Sequence, residues 1–174
     1  IFGETPNHPN PTWLDMVGYL RKVEHLSNTR INDKIFFKEH IMEKIIGTWA
    51  LVRTEAVDAK GKPTRTAPFG GENFIGRVVL TKNGRMSAAI TDARSIIPSG
   101  ETREYSCYAG AYTFDGTTLI TKVDNCSDPA RMGTEQLRTV SFDGELMILQ
   151  PPLRSYNNKP AERRTLWWKK ISNV

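Results

Sequence analysis

The sequence predicts a mainly β protein. About eight antiparallel strands close into an up-and-down barrel over residues 47–174, after a two-helix N-terminal extension over residues 1–46. Three observations lead there. Asn83-Gly84, Asp115-Gly116 and Asp143-Gly144 each stand between runs that alternate apolar and polar residues. Such pairs are strong hairpin signals, because a tight turn needs positive φ at its centre. At Gly47 the hydrophobic period changes from that of a helix to that of a strand. Finally, about eight short runs are separated by turn residues, and closing such a set into a barrel leaves no unpaired edge.

In chain order, residues 1–11 are rich in Pro and Asn and read as irregular. Thr12 is placed to cap a helix from about 13 to 26, whose Trp13, Met16, Val17, Leu20 and Val23 form one stripe. Asn28 to Asn32 reads as a turn, and Asp33 as the cap of a second helix that runs to about Ile46 and stops at Gly47. Both apolar stripes must be covered. The helices either pack on the barrel or serve as a lid or dimer arm. Strands are expected at about 48–56, 73–81, 85–91, 103–114, 117–126, 133–142, 145–150 and 163–171. Long connections fall at 57–72, 92–102 and 151–162, each with its own Gly or Pro residues.

At 174 residues the chain is long enough to bury a core as one domain. The net charge of +5 belongs entirely to the barrel, because residues 1–46 carry equal numbers of basic and acidic side chains. The basic residues are scattered. Trp167-Trp168-Lys169-Lys170 is the one place that looks like a nucleic-acid stripe, and it reads better as a closing strand. Nucleic acid is therefore not an expected partner. Nor is a membrane span, since no stretch approaches the roughly 20 apolar residues a spanning helix needs. The chain opens on Ile1 without methionine, so a leader, tag or other segment is expected to have been removed or left out ahead of it.

Several motifs are more specific. Gly47-Thr48-Trp49 opens the first strand, like the Gly-x-Trp that opens lipocalins. Gly84-Arg85-Met86-Ser87, Tyr108-Ala109-Gly110 with Tyr112, and Gly133-Thr134-Glu135-Gln136 with Arg138 follow in order. Together they resemble the small bacterial and fungal lipocalin-like domain proteins, from about Ile46 to Lys169. The resemblance implies a lipocalin-like barrel with a pocket and names no reaction. It also implies that Gln136 and Arg138 point inward. By the same token, an arginine of the last strand, Arg163 or Arg164, is expected to pack on Trp49 at the closed end.

A two-residue turn at Asp115-Gly116 would set Tyr112 opposite Leu119, Gly110 opposite Thr121, Tyr108 opposite Val123 and Ser106 opposite Asn125. Lys122 and Asp124 lie on the other face and prefer water, so this face turns inward. Tyr108 and Tyr112 then need partners for their hydroxyls, from the barrel or from a ligand. Arg53 and Glu55 share the parity of Trp49 and are expected inside, where Glu55 either pairs with Arg138 or leaves it to a ligand. The candidate catalytic set is Tyr108, Tyr112, Arg138 and Glu55, with Asp92 as a second proton carrier. The candidate ligand-binding set is Trp49, Arg53, Met86, Thr121, Val123, Asn125 and Gln136.

All three histidines, His8, His25 and His40, precede the barrel. A histidine triad, a zinc site built on barrel histidines and haem ligation are therefore not expected, though His40 on a lid is not excluded. Gly70-Gly71 matches neither dinucleotide nor phosphate-loop spacing, so no cofactor is expected. Cys107 and Cys126 lie diagonally on facing strands. A bulge would bring them into bonding range, and two free thiols are the alternative. Asn125-Cys126-Ser127 also matches a glycosylation acceptor, and the compartment stays open.

The leading functional expectation is a cofactor-independent cyclase or isomerase acting on a hydrophobic natural-product intermediate. A non-catalytic carrier of an apolar ligand is the alternative. A homodimerising interaction module, whose barrel would be too full for any ligand, is the third reading.

Overall fold

The computed structural model describes residues 41–64, 68–156 and 160–173. Eight strands follow in order: β1 (Gly47–Asp58), β2 (Phe74–Leu80), β3 (Arg85–Asp92), β4 (Tyr105–Phe114), β5 (Thr118–Cys126), β6 (Glu135–Asp143), β7 (Leu146–Gln150) and β8 (Glu162–Ser172). Each pairs antiparallel with the next, and β8 returns to β1, so the barrel is closed. The eight expected strands are all present, with ends displaced by no more than two residues. Residues 41–45 are helical and lead into Gly47. The rest of the expected helical extension, with Thr12, Asp33 and the three histidines, lies outside the described residues. No helix among the described residues is long and apolar enough to cross a membrane.

The connections sort by length onto the two ends of the barrel. β2–β3, β4–β5 and β6–β7 are joined by short turns, and these share one end with residues 41–45. The four longer connections, β1–β2, β3–β4, β5–β6 and β7–β8, gather at the opposite end. Rigid strands thus hold the long loops around one mouth, the usual arrangement for a binding site.

The two Asp-Gly hairpins turn one residue later than expected. In the first, the Asp115 carboxylate accepts the N–H groups of Thr117 and Thr118 at 2.8 and 2.7 Å, so the loop is Gly116-Thr117 and Gly116 takes φ +111°. Phe114 therefore faces Leu119, Tyr112 faces Thr121 and Gly110 faces Val123. The register moves by two residues and the faces survive. Asn83-Gly84 likewise ends a three-residue connection, in which the Gly84 N–H donates to the Thr81 carbonyl.

Two bulges do reverse faces. Val52 is the extra residue between the pairs Leu51–Trp168 and Arg53–Trp167. Beyond it Thr54 and Ala56 are buried, while Arg53 and Glu55 are exposed and pair with each other outside the barrel. Asp124 is the extra residue between Gly110–Val123 and Ala109–Asn125. Asn125 is consequently exposed, and Cys126 faces Tyr108 instead of Tyr105. Both expectations of inward residues at Arg53 and Glu55, and at Asn125, fail for the same reason: one inserted residue inverts the alternation. Even with this bulge, Cys107 and Cys126 remain free thiols.

Candidate functional site

The half of the barrel next to the short turns is filled by side chains, with a more open cleft of about 600 Å³ at its end bordered by Lys44, Trp49, Phe142 and Lys170. Trp49 is buried, and its Nε1 donates to the Ile45 carbonyl at 2.9 Å. Lys170 Nζ lies 4.9 Å from the Trp49 ring centroid and donates to the Ile46 carbonyl at 2.7 Å. The cation expected on Trp49 is thus a lysine, and Arg164 stands at the other end of β8. Above this plug, Thr121 Oγ1 donates to Met86 Sδ at 2.6 Å, with Val123 buried beside them. The Tyr112 hydroxyl donates to the Thr81 carbonyl at 2.9 Å, and burial raises its pKa. A neighbouring connection therefore satisfies Tyr112. Trp49, Met86, Tyr112, Thr121 and Val123 all serve this packed half.

The half next to the long loops is open. A cavity of about 740 Å³ runs in from the mouth. Val78, Ala88, Ile90, Leu149, Leu166 and Trp168 make its walls and floor. Such a volume departs from the filled barrel of a pure interaction module and falls within the range of small-molecule pockets. Of the candidate residues, Tyr108, Arg138 and Asp92 border it. Gln136 is buried just behind, where its Oε1 accepts from Arg131 Nη2 at 3.2 Å and its Nε2 donates to Thr134 at 3.0 Å.

The chemistry of the mouth is dominated by arginine. Arg94, Arg103, Arg131, Arg138, Arg154 and Arg164 all line it. Three of them are tied to this end of the fold. Arg94 pairs with Asp92 at 2.6 Å and Glu101 at 2.9 Å. Arg164 pairs with Glu104 and with Glu162, the latter at 2.7 Å. Arg103 donates to the Asp92 carbonyl at 2.5 Å. Glu104 also accepts the N–H of Phe69 at 2.8 Å. Phe69 is a buried residue in the left-handed region, at φ 58°. A bulky residue is strained there and needs such anchoring.

The other three arginines meet no carboxylate at ion-pair distance among the described residues. Arg131 donates to Ser106 at 3.1 Å and lies 4.5 Å over the Tyr108 ring. Arg138 is 5.6 Å from the centroid of the same ring and donates only to the Leu137 carbonyl, at 2.6 Å. Arg154 lies over Tyr156 at 4.8 Å. Burial lowers the pKa of Arg131, with Arg138 and Arg154 adding to the effect. Burial raises that of Tyr156. The Tyr108 hydroxyl has no hydrogen-bond partner among the described residues, and the ring is flanked by two cations.

Asp92 is 1% exposed and receives three guanidinium bonds and a backbone N–H from Arg94. These bonds hold its carboxyl below the usual range. A depressed folded value contributes stability that is complete above about pH 4 and lost as pH falls through the lower folded value. Asp92→Asn should therefore lower the denaturation midpoint at neutral pH and flatten its fall under acid. Urea titrations across that range check this; an unaltered acid profile would count against the pairing. Held in this way, Asp92 is a structural anchor and a poor proton carrier.

Arg131, Arg154 and Tyr156 were not singled out from the sequence. They sit in or beside connections, where no alternation marks a face. Trp168 did carry a signal, since its parity on the last strand sets it opposite the exposed Lys169.

A family model described as a lipocalin-like domain matches residues 46–171. No curated protein and no solved structure matches the chain.

Proposed function

Because the chain belongs to the lipocalin-like domain family, we propose that its barrel binds a hydrophobic small molecule and acts on it as a cofactor-independent isomerase or cyclase in a biosynthetic route. One observation carries the reading. Tyr108, its hydroxyl unpartnered among the described residues, has the Arg131 and Arg138 guanidinium groups 4.5 and 5.6 Å from its ring centroid and borders an apolar chamber. Preorganised cations stabilise a developing enolate or alkoxide, and the tyrosine hydroxyl is placed to give or take the proton. Shape does the remainder, by holding a flexible substrate with its reacting atoms close together.

A carrier is the second reading, favoured by a specific feature. Asp92, Glu101 and Glu104, three of the carboxylates that border the cavity, are held in ion pairs, and Asp128, the fourth, accepts the Ala130 N–H.

The experiment is native mass spectrometry of protein purified from its own source, followed by extraction of the bound molecule and incubation with its precursor. Conversion by the wild type, abolished in Arg138→Met while the fold is intact, is the expected result. A ligand returned unchanged by both proteins would leave the carrier reading and remove the enzyme.

A further inference from the structure

We infer that the molecule taken by this cavity is an amphipathic organic acid, its carboxylate or enolate held by Arg131, Arg138 and Arg154 at the mouth and its apolar body reaching Trp168 at the floor. This rests on the reading that the cavity holds a small molecule, and adds its charge and polarity.

The argument begins with what lacks a partner. Guanidinium groups gathered away from water repel one another and lose hydration, and proteins normally place carboxylates among them. At this mouth Asp92, Glu101, Glu104 and Glu162 serve Arg94 and Arg164 instead. Among the described residues, Arg131 and Arg138, half-buried, and Arg154, exposed at the rim, meet ring faces and neutral oxygens only, and Asp128, which borders the same space, accepts the Ala130 N–H instead. Arg131 is also left with a buried Nε that has no acceptor among the described residues. Burial lowers the pKa of Arg131 most, and the nearby charges of Arg138 and Arg154 lower it further. Arginine forks match a carboxylate with two parallel bonds, so one acidic group would satisfy several donors at once.

A second observation, on a different strand, fixes the other end. Trp168 is 1% exposed and borders the cavity; its indole Nε1 is itself shut off from that space and has no acceptor among the described residues. A buried indole N–H normally finds one. Trp168 lies four residues along β8 from Arg164, or about 13 Å at strand rise. Between the two ends the lining is Val78, Ala88, Ile90, Leu149 and Leu166. The complement is an apolar body with an acidic head.

The test uses the full chain and two dyes with the same aromatic body: anilinonaphthalene sulfonate, which is anionic, and N-phenylnaphthylamine, which is neutral. The sulfonate is expected to bind at least tenfold tighter, and Arg131→Met and Arg138→Met should each weaken it roughly tenfold, the size of a lost charge-assisted contact. The neutral dye should bind these variants as it binds wild type, which also shows that their cavities are intact. Arg138→Lys should recover part of the sulfonate affinity. Decanoate should displace the sulfonate and decanol should not. Equal affinity for the two dyes, or equal displacement by acid and alcohol, overturns the acid and leaves a small-molecule pocket standing. Binding of neither dye overturns both readings.

Discussion

Replacing Gly110 with alanine should destabilise the barrel by about 3 kcal/mol or more, the upper end of overpacking costs. Gly110 has no unusual φ; it is glycine for lack of room. A Cβ there would lie 2.8 Å from the Lys122 carbonyl carbon, closer still to its oxygen, and 3.2 Å from Thr121 Cγ2. The first two are backbone atoms of the paired strand and no rotamer change removes them. β4 would have to part from β5 just where the Asp124 bulge begins, and Tyr108, two residues away, would move with it. Gly133→Ala is the matching control. Its φ is +73°, and nothing lies within 4 Å of a Cβ there, so its cost should be near 1 kcal/mol, the strain of a positive φ alone. Urea midpoints of the two variants measure the difference. Equal losses would refute the steric account.

Gly110 also shows how far the sequence could be read. The lipocalin-like resemblance singled out Tyr108-Ala109-Gly110, and the structure supplies a reason for its glycine. Alternation located all eight strands, because an antiparallel barrel with one wet face writes its period directly into the chain. It placed Tyr108 and Tyr112 on the inner side, and the resemblance placed Gln136 and Arg138 there; no bulge intervenes on these strands between them and the hairpin turns. It failed beyond Val52 and Asp124. A bulge inserts one residue without a marker of its own, so everything past it is read in the wrong phase: Arg53 and Glu55 were expected inside, and Asn125 with them. Arg164 was carried to Trp49 by resemblance, but strand direction puts it at the mouth, and Lys170 takes the place instead. The loop residues Arg131, Arg154 and Tyr156 lay beyond any periodic argument. They come together only because four long connections share one end of a closed barrel.

Removing Trp49 should cost about 3–5 kcal/mol of stability, as large-to-small changes of buried tryptophan do, yet leave ligand affinity alone. The sequence suggested a ligand contact for this residue; its surroundings describe a plug. Its indole N–H satisfies the Ile45 carbonyl, Lys170 sits over the ring, and Phe142 lies 6.5 Å away by centroid. Trp49→Ala would empty this volume, orphan a carbonyl in the last helical residues before β1, and strip Lys170 of the aromatic face beneath it. Trp49→Phe divides the loss: it keeps most of the apolar bulk and removes the hydrogen bond, for about 1 kcal/mol. Because Trp49 does not border the mouth cavity, the folded Phe variant should bind an anionic naphthalene dye as wild type does. The contrast with Trp168 is then sharp, for both are buried tryptophans of the same barrel. Of the two, Trp168 alone has an indole N–H without an acceptor among the described residues, and Trp168 alone borders the mouth cavity. Calorimetric titration of Trp49→Phe and Trp168→Phe separates the two roles. A loss of affinity in the first as large as in the second would mean that the ligand reaches the closed end, and that the packed half of the barrel opens to admit it.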